Sequence, residues 1–78
     1  MELSQAVKER IIKLTNEKNI TLHKLSLNSG LPYSTLSSFM NGKAQSPKLV
    51  TILHLCEGFG IELSEFFNDE VFKDVEQD

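Results

Sequence analysis

The segment TLHKLSLNSGLPYSTLSSFMNG, Thr21 to Gly42, decides how this chain is read. Thr21 is a favourable N-cap, so a helix is expected over about Leu22 to Ser29. Gly30 can take the left-handed conformation that a sharp turn requires. Pro32 suits the first turn of a following helix, about Pro32 to Met40, where its missing amide costs nothing. Leu25, Leu31, Leu36 and Phe39 fall where they can seal the pair of helices to a core. Tyr33, Ser34, Ser37 and Ser38 are then left facing outward from the second helix. Ser34, Thr35, Ser37 and Ser38 crowd hydroxyls into a segment where Ala, Glu or Lys would favour helix more. A hydroxyl-rich helix face, braced by a preceding helix, has the shape and chemistry to enter the DNA major groove.

The flanking sequence supplies more helices. Val7, Ile11 and Leu14 recur at helical spacing in a segment from about Ser4 to Lys18, with Lys8, Glu9, Arg10 and Lys13 read as its outer face. After the Lys43-Ala44-Gln45 loop, Ser46 is expected to cap and Pro47 to begin a fourth helix ending near Glu57. That helix is expected to bury Leu49, Ile52, Leu53 and Cys56, with Gly58 and Gly60 stopping it. Ser64 is expected to cap a short fifth helix carrying Phe66 and Phe67. No segment alternates as a strand would. The expected fold is therefore all-α, a compact five-helix bundle. The domain is placed at residues 1–68. Residues 69–78 are expected to form an acidic tail or an extension of helix five.

Charge is unevenly distributed. The net charge is −3, but residues 1–48 carry seven Lys/Arg against three Glu, or +4. Residues 49–78 carry one Lys against eight acids, or −7. A basic half can steer a polyanion onto one face even when the total is negative. A single cysteine, Cys56, excludes an intrachain disulfide and reads as intracellular. No apolar run suits a membrane span, and the N-terminus lacks the pattern of a signal peptide. The expected location is cytoplasmic, on the nucleoid.

The order LTNEKNIT, LHKLSLNSG, LPYSTLSSFMNGK, SPKLVTILHLCEGFGIELSEFF resembles the Cro/CI-type helix-turn-helix domain of phage repressors and bacterial regulators of the xenobiotic-response-element type. The likeness runs from about Val7 to Phe67. It rests on Gly30 at the turn, Leu36 in the second helix of the motif, the Ser34-Thr35-Leu36 step, the Asn41-Gly42-Lys43 exit, Ser46-Pro47 and Gly60-Ile61-Glu62-Leu63. The resemblance implies a lambda-repressor-like fold in which helix two crosses the DNA backbone and helix three enters the groove. Carried over by position, it makes Tyr33, Ser34, Ser37 and Ser38 the base readers. It makes Thr21, Leu22, Asn41, Lys43, Gln45 and Lys48 the phosphate contacts. Amides at a helix N-terminus and flanking lysines are suited to that role.

Three positions depart from the family's pattern. Leu22 stands where a phosphate-gripping Gln is common, and Lys24 where a Glu would complete a capping box. Thr15 and Met40 stand where an Arg–Glu pair is common. Both charges are lost together, so neither is left unpaired.

The sequence reading is a sequence-specific DNA-binding transcriptional regulator, a repressor, with double-stranded DNA as partner. The alternative is a protein-interaction module on the same fold, such as an antitoxin or adaptor. A homodimer, weak in free solution, is expected because one reading helix covers too few base pairs. Its surface is expected at Phe59, Ile61, Phe66, Phe67, Val71 and Phe72. His54 and Cys56 are two apart on a helix and cannot share a metal. No nucleophile–base pair or phosphate-cradling loop is visible. No enzyme activity, metal, cofactor or small-molecule ligand is expected.

Overall fold

The computed structural model describes residues 1–42 and 46–77. It contains α1 (Leu3–Lys18), α2 (Leu22–Ser29), α3 (Tyr33–Met40), α4 (Leu49–Phe59) and α5 (Leu63–Phe67), followed by one 3-10 turn, Glu70–Phe72. Among the described residues there is no strand; Glu2 and Glu76 form an isolated parallel bridge. The all-α five-helix architecture is the expected one.

The α2–α3 unit closes by the expected local chemistry. Thr21 is extended, and its Oγ1 accepts from the Lys24 amide at 3.1 Å. The cap therefore forms although Lys24 cannot return the bond. Gly30 takes φ +68°. The amides of Gly30 and Leu31 donate to the carbonyls of Leu27 and Ser26, closing the helix end.

Helix four differs from expectation. It starts at Leu49, with Lys48 as its extended N-cap, so Ser46 and Pro47 lie before it. It continues through Gly58 to Phe59 and ends at Gly60, which has φ +74°. Its buried stripe is Ile52, Leu55, Cys56 and Phe59. Leu49 and Leu53 are not core residues; they are 65% and 45% exposed. The stripes 49/52/53/56 and 52/55/56/59 have the same i, i+3, i+4, i+7 spacing, so periodicity cannot separate them. Glu62, not Ser64, occupies the N-cap of α5.

The core joins Val7, Ile11 and Leu14 of α1 to Leu25, Leu36, Phe39, the α4 stripe and Phe66. Leu31 and Met40 pack against it, half-buried. Met40 thus supplies an apolar contact where the family's ion pair is missing. Burying an aromatic or large aliphatic side chain stabilises by roughly 1.5–3 kcal/mol.

Arg10 corrects the reading of α1. It is 6% exposed and lies on the core side, not the solvent side. Its Nε donates to the Phe66 carbonyl at 2.7 Å and its Nη2 to the Glu65 carbonyl at 2.8 Å. Its Nη1 donates to Asp69 Oδ2 at 3.1 Å. Arg10 therefore satisfies the carbonyl end of α5, where a cation is favourable.

The acidic segment does not extend α5, which ends at Phe67 with Asn68 as its C-cap. Instead it turns back onto α1. Phe72 joins Phe66 and Phe67 at ring-centroid distances of 6.0 and 5.0 Å. The Leu3 amide donates to the Glu76 carbonyl, and the Glu76 amide to the Met1 carbonyl. Phe59 and Phe66 are consequently core residues of this domain, buried by its own helices, and are not available to a partner copy. Ile61, Phe67, Val71 and Phe72 are half-buried.

Candidate nucleic-acid interface

The N-termini of α2 and α3 lie together. His23, the second residue of α2, stacks on Tyr33, the first residue of α3, with ring centroids 3.6 Å apart and planes 4° from parallel. The unpaired first-turn amides of both helices then belong to one region of surface, which favours an anion. Leu22 packs its half-buried side chain on the core. Its backbone amide is the group left to meet a phosphate. The Thr21 hydroxyl oxygen caps α2, and its hydrogen can still be donated outward.

Along α3, Tyr33 and Ser34 are exposed, and Ser37 and Ser38 are half-buried. Positions 34, 37 and 38 share a helix face. Asn41 Nδ2 donates to Ser37 Oγ at 3.2 Å, one turn along the same helix. An expected phosphate contact and an expected base reader are therefore already partnered with each other. Binding through either would exchange this exposed bond for one to DNA. Lys48 is exposed at the start of α4. Lys43 and Gln45 lie outside the described residues.

Two residues outside the expected contact set adjoin this surface. His23 stands near the start of helix two already in the sequence, but its stack on Tyr33 shows only once the two helix starts are placed side by side. Lys8 of α1 sends its Nζ across the Phe39 ring, 5.5 Å from the centroid, towards Gly42 at the α3 exit. A cation on α1 thus reaches the end of α3 opposite Tyr33. Its signal was faint: position 8 is next to the apolar stripe and not opposite it.

The chain sequence matches the model of the Cro/C1-type HTH DNA-binding domain over residues 10–71. The chain belongs to that family. No curated protein sequence matches it significantly. Two solved structures share the Cro/C1-type fold. The prophage Lp1 protein 11 superposes with a TM-score of 0.81 at 26% identity, over 96% of this chain and 100% of the other. A tyrosine-to-phenylalanine mutant of the restriction-modification controller protein C.Esp1396I superposes with a TM-score of 0.77 at 23% identity, over 86% of each chain.

Among the described residues no three His, Cys, Asp or Glu side chains group to hold a metal. Nor is any helix long and apolar enough to cross a membrane. Burial pushes the Cys56 thiol above its ordinary pKa, which keeps it neutral and unreactive. His54 Nδ1 lies 3.5 Å from Glu57 Oε1, a surface contact within α4.

Proposed function

We propose that the protein is a sequence-specific transcriptional repressor that places α3 in the major groove and acts by occupying its operator. The observation that carries this reading is the outward face of α3, with Tyr33 stacked at its first turn and serines along its length. Tyr33 supplies the dominant base or methyl contact, because it is the one long side chain among the proposed base readers. A serine hydroxyl both donates and accepts, so it defines a base less sharply and reads in part through water. Thr21, the Leu22 amide, Asn41 and Lys48, joined by Lys8, take the phosphates. Lys43 and Gln45 extend that set. Selection from random duplexes tests the reading: a single enriched motif supports it, and retention without enrichment leaves only unspecific binding. With that motif in hand, Tyr33→Ala should relax preference at one operator position by about 1–3 kcal/mol. Identical ratios across all single-base operator variants would exclude Tyr33 as a reader.

We further propose that two copies bind a palindrome, with half-sites about one helical turn apart. Leu49, Val50 and Leu53 leave an apolar face on α4 that the domain itself does not cover. A groove of about 200 Å³ continues it between α4 and the start of α1, lined by Leu3, Val7, Pro47, Leu49, Ile52 and Phe67. This face replaces Phe59 and Phe66 as the meeting surface. Leu53→Asp should leave the fold intact, since Leu53 is half in solvent, and abolish cooperative binding to the palindrome. Sedimentation velocity and titration of palindrome against half-site measure it. Unchanged cooperativity would move the interface elsewhere.

A further inference from the structure

The His23–Tyr33 stack joins two residues from different helices, and both are exposed. Neither ring has a role in the core, yet they lie parallel in van der Waals contact. An exposed tyrosine at a helix start samples several χ1 wells. A flat partner against one face of the ring removes most of that freedom. The phenol hydroxyl is then held at a defined height above the first turn of α3. Preorganising a contact group lowers the ordering cost at binding. The same constraint sharpens discrimination, since a swinging phenol can find acceptable partners on several base pairs.

We propose that His23 is a positioning residue for base recognition: its imidazole, stacked on Tyr33, holds the phenol in the orientation from which it reads one base pair. The proposal rests on the reading above that Tyr33 faces the groove. His23 itself touches no base in this scheme. Its contribution is confined to the operator position that Tyr33 reads.

The first arm of the test needs no DNA. The chain has two histidines and one tyrosine. Stacking at this distance places the His23 ring protons under the Tyr33 ring current. They should resonate upfield of the His54 protons and move back in Tyr33→Leu. Absence of that shift overturns the stack and the proposal with it.

The second arm compares wild type, His23→Ala, His23→Phe, Tyr33→Ala and the double alanine variant on every single-base variant of the selected operator. Alanine is favourable at an exposed helix position, so His23→Ala should fold normally. Its discrimination at the Tyr33 position should fall by roughly two- to tenfold, the usual worth of an aromatic pair. His23→Phe should restore it, because a flat ring suffices. The double variant should be no worse at that position than Tyr33→Ala alone, the signature of two residues acting as one unit. Uniform weakening on all operators in His23→Ala would make His23 a phosphate contact and overturn the proposal. So would full additivity with Tyr33→Ala. If Tyr33→Ala changes preference and His23→Ala does not, only the positioning role falls. If Tyr33→Ala changes nothing, the reading role of Tyr33 falls, and the positioning role with it.

Discussion

Asp69→Asn should cost the fold about 1.5–3 kcal/mol, the range for hydrogen bonds to charged groups. Asp69 Oδ2 accepts from buried Arg10 at 3.1 Å and from Lys13 at 2.9 Å, while Oδ1 accepts from the Val71 amide at 2.9 Å. An asparagine keeps the shape and loses the charge. Arg10 then remains in the core side of α1 with two carbonyls and no anion. For a chain of this size total stability is on the order of 4–12 kcal/mol, so the loss is a large fraction of it. Urea unfolding at neutral pH measures it, and an unchanged midpoint would show that the carbonyl contacts alone hold Arg10. The effect has a definite pH window. The Val71 amide, then the Lys13 hydrogen bond and the nearby cations, hold the Asp69 carboxyl below its ordinary pKa. A depressed carboxylate contributes stability that is present above its unfolded pKa, about 3.9, and lost as pH falls through the folded value. Wild type should therefore lose more stability than Asp69→Asn as pH drops below about 4, and the gap between them should narrow.

Gly58→Ala should destabilise by about 3 kcal/mol, the upper end for overpacking. The sign is the reverse of the usual one, since alanine normally stabilises a helix interior by about 1 kcal/mol over glycine. Here α2 crosses α4 so closely that a methyl group at position 58 would overlap Ser29 Oγ. The Ser29 Cβ and amide nitrogen would lie only 3.1 Å from it. Backbone cannot yield as a side-chain tip can. Ser29→Ala should recover part of the loss by removing the hydroxyl, and not all, because the other two atoms stay. On its own Ser29→Ala should be near neutral: the buried Oγ has no hydrogen-bond partner among the described residues, so little is forfeited. A Gly58→Ala variant as stable as wild type would mean that the two helices separate freely.

Helices α2 and α3 were legible because their signals are local. Thr21, Gly30 and Pro32 each act within a few residues, and Leu25, Leu36 and Phe39 have no competing register. Helix four was ambiguous because apolar residues surround it; which stripe turns inward depends on where α2 crosses it, at Ser29 and Gly58. Arg10 stands between Val7 and Leu14 on the apolar stripe, and that alone could have marked it as buried. Its partners could not be inferred, since they lie 55 to 59 residues away. The acidic residues around Phe72 obscured a segment that one aromatic ring ties to the core. In the candidate site, the α3 face was readable from helical spacing. The place of His23 near the start of helix two was also readable; its stack on Tyr33 was not, because a contact between two helices is set by their relative placement and not by any pattern along the chain.

The Arg10 clamp also bears on the order in which this domain can be made. Synthesis delivers α1 first, then the α2–α3 unit, and only much later Glu65, Phe66 and Asp69. Helices and their turn form locally and early, but a contact spanning more than fifty residues must wait for the distant segment to emerge. A nascent chain halted before Glu65 would already hold Tyr33, the serines and His23. It would lack Phe66 from its core and any anchor for a guanidinium already committed to the inner face of α1. Completion of the proposed reading surface is thus tied to residues that lie outside it, and an interrupted product carries the α2–α3 sequence without the means to hold it in shape.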